Sequence, residues 1–413
     1  MESSEKHTVG LRAPLQGITV VAVEQYIAGP YCSMLLADSG ANVIKIEQPR
    51  RGDPRRTIGP FAVDEKGNRS SAGFMAHNRN KQSVCLDLQK TEGRTVFLDL
   101  VRKCDVVVEN LRPGALDKLG LGYERLKGIN PRLIYAAISG FGRLEPYIGP
   151  FSQRPAMDVV VEAMSGIMHI CGFEDREPIT TIYAMPDIYA GLVGAYSICL
   201  ALIQRGVTGE GQFVDISMYD SMISLNERSV HIYSYTGEVP MRGREMLAAP
   251  RGAFKAKDGF VAITNTTDEM WGRFARFLGR EDLITNPNTA TGSARSKHVD
   301  DILRPIIEAW LADKTKDEAS ELLLAAGVPA GPVRDIEEVF RCPQTEARKS
   351  LIEIEDPVAG PKKFARTPVR GSAMAEVPTR RAPLLGEHTE EILKRLLGYD
   401  DERIARLKDE GAI

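Results

Sequence analysis

The first fifty residues alternate a strand, a helix and a second strand, and this pattern constrains the fold more than any other feature of the chain. Apolar residues 18–23 predict a buried strand, residues 31–38 predict a helix that Gly40 ends, and residues 42–46 predict a second strand. A strand–helix–strand unit of this kind joins two parallel strands through a right-handed crossover. The sequence therefore predicts an α/β fold with a parallel sheet.

The alternation of strands and helices continues to about residue 225 and then stops. Further strands are predicted, in chain order, at residues 83–88, 105–109, 133–138 and 212–217. After residue 226 the chain contains a hairpin pattern around Asp258-Gly259 and three helical patterns. Because 413 residues are more than one core usually serves, we predict two domains. The large domain is expected to comprise residues 1–225 and 330–413, and a smaller α+β domain to comprise residues 226–329.

The first strand–helix turn matches a dinucleotide-binding fingerprint only in part. An acid, Glu47, follows the second strand at about the right distance. The turn itself has one glycine, Gly29, followed by Pro30, whereas the fingerprint needs three glycines. A nicotinamide-dependent dehydrogenase is therefore a poor match.

Several loops at the predicted strand ends are rich in basic and amide side chains. Residues 50–56 contain four arginines, and residues 110–114 and 139–142 follow two later strands. Residues 78–81, Asn-Arg-Asn-Lys, precede another strand. Ligands of open α/β sheets bind at the carboxyl ends of the strands, and arginine suits phosphate or carboxylate. These loops predict a ligand with several phosphates, although a solvated charged loop explains residues 50–56 equally well.

Asp187 stands between Pro186 and an apolar run, residues 188–203, that predicts a buried helix. Proline suits the first turn of a helix, and a carboxylate there faces free N–H groups and the positive end of the helix dipole. This position predicts an ionised aspartate held in one direction. A simple helix cap is the alternative, because caps are commoner than nucleophiles.

Composition narrows the class of protein. The formal net charge of −3 does not predict a nucleic-acid or membrane partner. Residues 1–14 are polar, which is unlike a signal peptide, and glycines 191 and 194 interrupt the apolar helix. The six cysteines form no C-x-x-C pair and the histidines lack metal-type spacing, so reduced thiols and no metal are expected. These features together predict a cytoplasmic protein.

Ten segments together resemble the class III coenzyme A transferases, the family of formyl-CoA and carnitine CoA-transferases. They span nearly the whole chain and occur in the family's order. The segments are residues 25–30, 40–47, 80–81, 108–116, 139–142, 185–187, 211–222, 250–259, 327–332 and 386–388. This resemblance implies a CoA-transferase with acyl-CoA and a small carboxylic acid as substrates and no tightly bound cofactor.

The resemblance also implies roles for individual residues and for the assembly. Asp187 matches the nucleophile that forms an aspartyl-CoA thioester. The family has a Rossmann-like large domain built from both ends of the chain, and its homodimers are interlocked like links. The positions that match CoA contacts are Ile27, Ala28, Asn78, Arg79, Asn80, Lys81, Asn110, Leu111, Arg112 and Lys118. Backbone N–H groups must stabilise the oxyanion in such chemistry, and Gly140 and Gly142 are candidates.

Three departures from the formyl-CoA enzymes bear on the substrate. Ile27 replaces a glutamine, Gln48 replaces an arginine, and residues 237–245 hold only two of the expected glycines. Formyl-CoA and oxalate are therefore not expected, and succinyl-CoA is the first donor to test. Arg242, Arg244 or the arginines of residues 50–56 are candidates to meet a second carboxylate, with a solvated arginine as the alternative for each.

Two other functions remain as alternatives. An α-methylacyl-CoA racemase shares the fold, but it needs a base on each face of the α-carbon. Those racemases have Gly-His-Asp where this chain has Ala156-Met157-Asp158, and methionine cannot accept a proton. A non-catalytic CoA-binding protein would require Asp187 to be only a cap.

Overall fold

The computed structural model describes residues 12–243 and 248–413. Its strands are β1 (Thr19–Val23), β2 (Asn42–Glu47), β3 (Phe61–Val63), β4 (Arg69–Ser71), β5 (Gln82–Cys85), β6 (Val106–Glu109), β7 (Ile134–Ser139), β8 (Gln212–Ser217), β9 (Arg251–Lys255), β10 (Phe260–Thr264), β11 (Ala330–Pro332), β12 (Leu351–Asp356) and β13 (Gly360–Ala365). Its helices are α1 (Ala28–Asp38), α2 (Ala72–Asn78), α3 (Thr91–Val101), α4 (Ala115–Lys118), α5 (Tyr123–Ile129), α6 (Asp158–Met164), α7 (Ile167–Ile170), α8 (Met185–Thr208), α9 (Met218–Leu225), α10 (Glu227–Thr236), α11 (Asp268–Phe277), α12 (Asp282–Thr285), α13 (Gly292–Lys297), α14 (Arg304–Leu311), α15 (Lys316–Ala325), α16 (Ile336–Arg341), α17 (Pro343–Ala347), α18 (Thr389–Leu397) and α19 (Asp401–Asp409). A 3₁₀ turn, Pro54–Thr57, and a π-helical turn, Val299–Leu303, complete the elements.

A six-stranded sheet organises the larger of two compact units, which comprises residues 1–168, 180–227 and 349–413. Its strand order is β5-β2-β1-β6-β7-β8, and every neighbouring pair is parallel. The chain moves outward from β1 to β5 and then returns to β6 on the other side of β1. This reversal between β1 and β6 is the switch point at which Rossmann-like sheets bind ligands. The predicted α/β fold with a parallel sheet is confirmed.

The C-terminal helices complete the core on one face of this sheet. α18 contributes Ile392 and Leu393, and α19 contributes Ile404 and Leu407. These side chains pack in one cluster with strand residues and with Phe97 of α3. The end of the chain thus packs onto this sheet through these two helices.

Helices α1 and α8 pack closely because α8 has glycines at the contact. A Cβ on Gly191 would lie 2.8 Å from the carbonyl oxygen of Ala28 and 3.2 Å from the backbone nitrogen of Cys32. A Cβ on Gly194 would lie 3.1 Å from Sγ of Cys32. Small residues let two helix backbones approach, and this approach brings the first turns of α1 and α8 together.

The prediction that α8 is a buried helix is wrong for one of its faces. Leu192, Tyr196, Leu200, Ile203 and Val207 recur at helical spacing and are exposed, with Val207 at 86%. By length and composition the helix would suffice to cross a membrane, and 39% of its most apolar window is buried within the chain. An apolar run in sequence does not distinguish a helix surrounded by core from one with an uncovered apolar face.

The second compact unit comprises residues 169–179 and 228–348. Its antiparallel sheet has the order β11-β10-β9, and its core is built around Trp271 and Phe274 of α11. The predicted small domain, residues 226–329, has different limits. β11 pairs with β10, which keeps residues 330–332 in this unit, and Gly243 donates its N–H to the carbonyl of Ile170, which joins the segment 169–179 to it.

Candidate active site

The turn between β1 and α1 is fixed by an amide at the end of β6. Asn110 accepts a hydrogen bond from the backbone N–H of Gln25 and donates one to the carbonyl of the same residue, both at 2.8 Å. A Cβ on Gly29 would lie 2.9 Å from the Asn110 side chain, so glycine lets α1 begin beside it. Asn110 therefore joins the two strands at the switch point and orients the start of α1.

Asp187 lies in the first turn of α8, opposite the start of α1. Ala184 precedes the helix with φ of 60° and donates its N–H to the carboxylate of Asp158 at 3.3 Å. The backbone N–H of Ala28 donates to the carboxylate of Asp187. Asp187 is partly exposed. Its carboxylate thus combines one fixed hydrogen bond, a neighbouring acid and access to solvent.

Burial raises the pKa of Asp187 to about 7, and the negative charge of Asp158 adds to this effect. The N–H of Ala28 and the positive charge of Arg55 lower it only in part. The sequence-based prediction of an ionised carboxylate needs correction, because the helix start does not outweigh the loss of water. Near neutral pH the group is divided between its two forms. A strongly shifted carboxyl group near a surface is typical of a reactive site.

The predicted CoA-binding residues Asn78 and Lys81 form part of a buried ionic network beneath the start of α1. Lys81 Nζ donates to Glu24 Oε1 at 2.8 Å, to the carbonyl of Pro30 at 2.9 Å and to Asn78 Oδ1 at 2.9 Å. Asn78 and Lys81 are both almost wholly buried. Burial lowers the pKa of Lys81 to about 8 although Glu24 opposes that change. Their side chains support α1 from below and are not free to contact a ligand.

Arg79 and Asn80, predicted to bind CoA as well, lie at the opposite end of α1. Arg79 forms an ion pair with Asp38 at 2.7 Å, and Asn80 donates to the same carboxylate at 2.8 Å. Asp38 is the last residue of an eleven-residue helix that begins at Ala28, so about 16 Å separate these contacts from the Asp187 end. Arg79 is also buried. These contacts give both residues a role in holding α1, and their direct contact with CoA stays a prediction.

A cavity of about 170 Å³ opens at the carboxyl ends of the strands beside the switch point. Leu111, a predicted CoA-binding residue, lines it, and residues 86–89 form another part of its wall. The sequence prediction missed residues 86–89 because it extended the strand to residue 88, whereas β5 ends at Cys85. The full lining is Val23, Glu24, Gln25, Ile46, Glu47, Gln48, Gly52, Asp53, Leu86, Asp87, Leu88, Gln89, Leu111, Leu116 and Leu119.

Arg112 and Lys118 follow β6 on the segment that supplies Leu111 and Leu116 to the cavity wall. Both side chains are exposed. Neither forms an ion pair or a side-chain hydrogen bond within residues 12–243 and 248–413. Two free cations on this segment suit the phosphates of a nucleotide.

The remaining predicted residues have different surroundings. Gly142 donates its N–H to Ser139 Oγ at 3.1 Å, so this donor is already occupied. A Cβ on Gly140 would lie 2.3 Å from that of Ala156, so Gly140 lies against the chain just before Asp158 and stays a candidate. Arg242 donates through Nε to the carbonyl of His169 at 2.9 Å and also to that of Arg176, within the second unit. Arg244 lies outside the described residues.

Similarity to known proteins extends over nearly the whole chain. The sequence model of CoA-transferase family III matches residues 15–389. Succinyl-CoA–D-citramalate CoA-transferase of Chloroflexus aurantiacus is 36% identical over 398 residues, covering 96% of this chain and 97% of that enzyme. Succinyl-CoA:mesaconate CoA-transferase of Haloarcula hispanica is 38% identical over 386 residues, covering 92% and 95%. The crystal structure of a CaiB/BaiF family protein from Brucella suis matches with a TM-score of 0.81 and 37% identity, over 93% of this chain and all of that one.

Proposed function

The chain belongs to CoA-transferase family III, and on that premise we propose that it moves CoA from an acyl-CoA donor to a free carboxylic acid through a covalent link to Asp187. The observation that carries the proposal is the environment of this carboxylate. It is partly exposed, it accepts the N–H of Ala28, and its pKa of about 7 leaves an ionised fraction at neutral pH. A carboxylate that has lost part of its water is a better nucleophile than a fully solvated one.

The reaction exchanges one carboxylate for another in four steps. Asp187 attacks the thioester carbonyl of the donor, which forms a mixed anhydride and releases the CoA thiolate. The thiolate attacks the aspartyl carbonyl of the anhydride, which releases the donor acid and leaves an aspartyl-CoA thioester. The acceptor carboxylate attacks this thioester and releases the thiolate again. The thiolate finally attacks the acceptor's acyl carbonyl, which restores the Asp187 carboxylate, and no net proton is consumed.

The proposed CoA site extends from the cavity at the switch point to the start of α1. Leu111 and residues 86–89 line a space suited to the nucleotide, while Arg112 and Lys118 are exposed and free to meet phosphates. Asn110 fixes the turn that carries Ile27 and the Ala28 N–H, so it supports the pantetheine end. This assignment keeps the predicted roles of the β6 loop. It replaces residues 78–81 with residues 86–89.

Succinyl-CoA is the proposed donor and a small carboxylic acid the proposed acceptor. The two similar enzymes named above use succinyl-CoA according to their names. The racemase alternative gains nothing from the structure, since Met157, which stands where that chemistry needs a base, is exposed and only precedes α6. A homodimer is also proposed, with the exposed apolar face of α8 covered by the second copy. The six cysteines are free thiols, which fits a reducing cytoplasm as the proposed compartment.

The test is a CoA-exchange assay with purified protein. Succinyl-CoA is incubated with a panel of unlabelled carboxylic acids, and new acyl-CoAs are separated by chromatography. The proposal expects a new thioester with at least one acid and an equal amount of free succinate. Formyl-CoA serves as a second donor, and a preference for it would contradict the donor assignment. Hydrolysis of succinyl-CoA without transfer would contradict the proposed reaction, and light scattering of the same sample measures the proposed dimer.

A further inference from the structure

Arg55 is a buried cation that has no carboxylate at ion-pair distance in the described part of the chain, although its charge also acts on Asp187 from further away. It is 7% exposed and lies in the short 3₁₀ turn after β2. Its neighbours in sequence and space are paired: Arg56 binds Glu47 at 2.8 Å and Lys45 binds Asp53 at 2.9 Å. Among residues 12–243 and 248–413, Arg55 forms no such ion pair. A buried charge without a partner is costly, so its presence calls for an explanation.

Only one of the three guanidinium nitrogens of Arg55 donates a hydrogen bond within the described part of the chain. Nη1 donates to the hydroxyl of Tyr183 at 3.2 Å. Nε is enclosed and has no partner, and Nη2 makes no hydrogen bond in the described part of the chain but is not enclosed. A Cβ on Gly73 would lie 2.5 Å from Nη2, so glycine at that position makes room for the guanidinium. The described part of the chain thus leaves charged N–H donors of this guanidinium without a hydrogen bond.

Tyr183 connects this cation to the catalytic helix. It lies four residues before Asp187, and Arg55 stands over its ring at 5.7 Å from the centroid. Tyr183 is 71% exposed. Because the phenol oxygen accepts a hydrogen bond from Arg55, its own proton is free to be donated. Arg55 and Tyr183 together offer a charged and a neutral donor close to the nucleophile.

We infer that Arg55 and Tyr183 bind the second carboxylate of a dicarboxylic acyl group while Asp187 reacts with its thioester end. This inference rests on the proposed function and adds the substrate class, namely short dicarboxylic acids as donor and acceptor. A substrate carboxylate would form the direct ion pair that the guanidinium lacks, and it would accept hydrogen bonds from both Arg55 and Tyr183. An acyl group that ends in a methyl group leaves the cation buried and unpaired, which selects against monocarboxylic acids.

The experiment compares dicarboxylic with monocarboxylic substrates in one variant series. kcat/KM is measured for succinyl-CoA with isotopically labelled succinate and for propionyl-CoA with isotopically labelled propionate, by the appearance of the label in the acyl-CoA, at pH 8.5, above the Asp187 pKa of about 7. The wild type is expected to prefer the dicarboxylic pair. Arg55→Gln is expected to lower kcat/KM for that pair by about 100-fold and to leave the propionyl pair within a few-fold of wild type. Arg55→Lys retains the charge and is expected to recover part of the loss.

Two further variants separate this role from a structural one. Tyr183→Phe removes the hydroxyl that accepts the hydrogen bond of Arg55 Nη1, and it is expected to lower the dicarboxylic rate by about tenfold. This variant tests the inference even if Arg55→Gln does not fold. Arg102→Gln, a solvent-exposed arginine paired with Asp99, is the matched control. Equal losses for both substrate classes, or a wild type that prefers propionyl-CoA, would overturn the inference while transfer itself stands. A wild type that transfers CoA to no acid would overturn the proposed function and this inference with it.

Discussion

Glu47 at the end of β2 and Asp187 at the start of α8 are both carboxylates with little access to water. The residues around Glu47 stabilise its negative charge, whereas those around Asp187 stabilise the charge only in part. Glu47 is 3% exposed and accepts hydrogen bonds from both Nε and Nη2 of Arg56, from Ser83 Oγ and from the N–H of Asp53. Burial alone would raise the pKa of Glu47, but the hydrogen bonds of Arg56 and the charge of Lys45 outweigh it and hold the pKa at about 2. Asp187 has one N–H donor and an acid beside it, and its pKa is about 7.

The contrast shows that partners, more than depth, decide what a buried acid does. Glu47 has a full set of donors, so its charge stabilises the fold and is unavailable for chemistry. Asp187 is less deeply placed but has fewer donors, so its charge is poorly stabilised and available for covalent bond formation. The fold thus contains a structural carboxylate and, on the proposed function, a reactive one on the same unit. The following predictions test that difference, in order of expected effect.

Asp187→Asn is expected to lower the CoA-exchange rate by at least about 1,000-fold, because an amide cannot form the anhydride. Exchange is measured with saturating succinyl-CoA at pH 8. Asp409→Asn, an exposed aspartate at the end of α19, serves as the control and is expected to retain full activity. Intact exchange in Asp187→Asn would support the alternative of a helix cap.

Glu47→Gln is expected to lower the free energy of unfolding by about 3 kcal/mol, since it leaves Arg56 without its buried counter-charge. The loss is measured by denaturant unfolding at pH 7. Because the pKa of Glu47 is lowered, its stabilisation is present above pH 4.5 and fades as the pH falls toward 2. The variant should therefore approach wild type in acid. A loss of kcat per folded molecule at saturating succinyl-CoA would contradict a purely structural role for Glu47.

Asp187→Asn is expected to stabilise the protein at pH 8 by on the order of 1–2 kcal/mol. The pKa of Asp187 is raised from 3.8, so the cost of its charge appears as the pH rises from about 4 and is complete above about 7. The gain should therefore vanish below pH 4. Unfolding curves of wild type and variant at pH 4 and pH 8 measure this gain. If the variant were no more stable than wild type at pH 8, the raised pKa of Asp187 would be contradicted.

The pH dependence of the reaction should follow the same carboxylate. kcat/KM for succinyl-CoA is expected to rise about tenfold per pH unit up to about pH 7 and then to level, because the free enzyme must be ionised at Asp187. Initial rates between pH 5 and 9 at constant ionic strength measure the profile. A kcat/KM that stays constant down to pH 5 would mean that the pKa of Asp187 is not raised, and it would contradict the difference from Glu47.

Asp158→Asn is expected to have the smallest effect. It removes the negative charge that helps to raise the pKa of Asp187, while its amide oxygen still accepts the N–H of Ala184. The rising limb of the pH profile should move to lower pH by less than about one unit. The relative rates of variant and wild type at pH 6 and pH 8 measure this displacement. If the rising limb did not move, the charge of Asp158 would not contribute to the raised pKa of Asp187.

The sequence alone predicts the parallel sheet and the first turn of α8, because strand–helix alternation and Pro186 are local signals. The direction of the Asp187 pKa is not predictable in this way. The N–H of Ala28, the charge of Asp158 and the charge of Arg55 come from residues that are distant in sequence, and only the folded chain brings them together. The local sequence shows only that Asp187 stands at a helix start, which favours the ionised carboxylate.

The same limit applies to the predicted CoA site. Asn78 and Lys81 are residue types that suit a phosphate and a buried ionic network equally, and only the contact with Glu24 decides between them. The position of residues 86–89 in the cavity wall is not predictable from the sequence, because an apolar pattern does not show where a strand ends. Similarly, the apolar run of α8 did not reveal that Leu200 and Ile203 are uncovered.

The most direct test of the reactive carboxylate is peptide mass spectrometry after brief incubation with succinyl-CoA. The protein is denatured in acid, digested and searched for a peptide that carries CoA, with hydroxylamine treatment to release it. The account predicts an adduct of CoA minus water on the peptide containing Asp187, lost with hydroxylamine and absent from Asp187→Asn. A CoA adduct on a different residue, in a protein that transfers CoA, would contradict it.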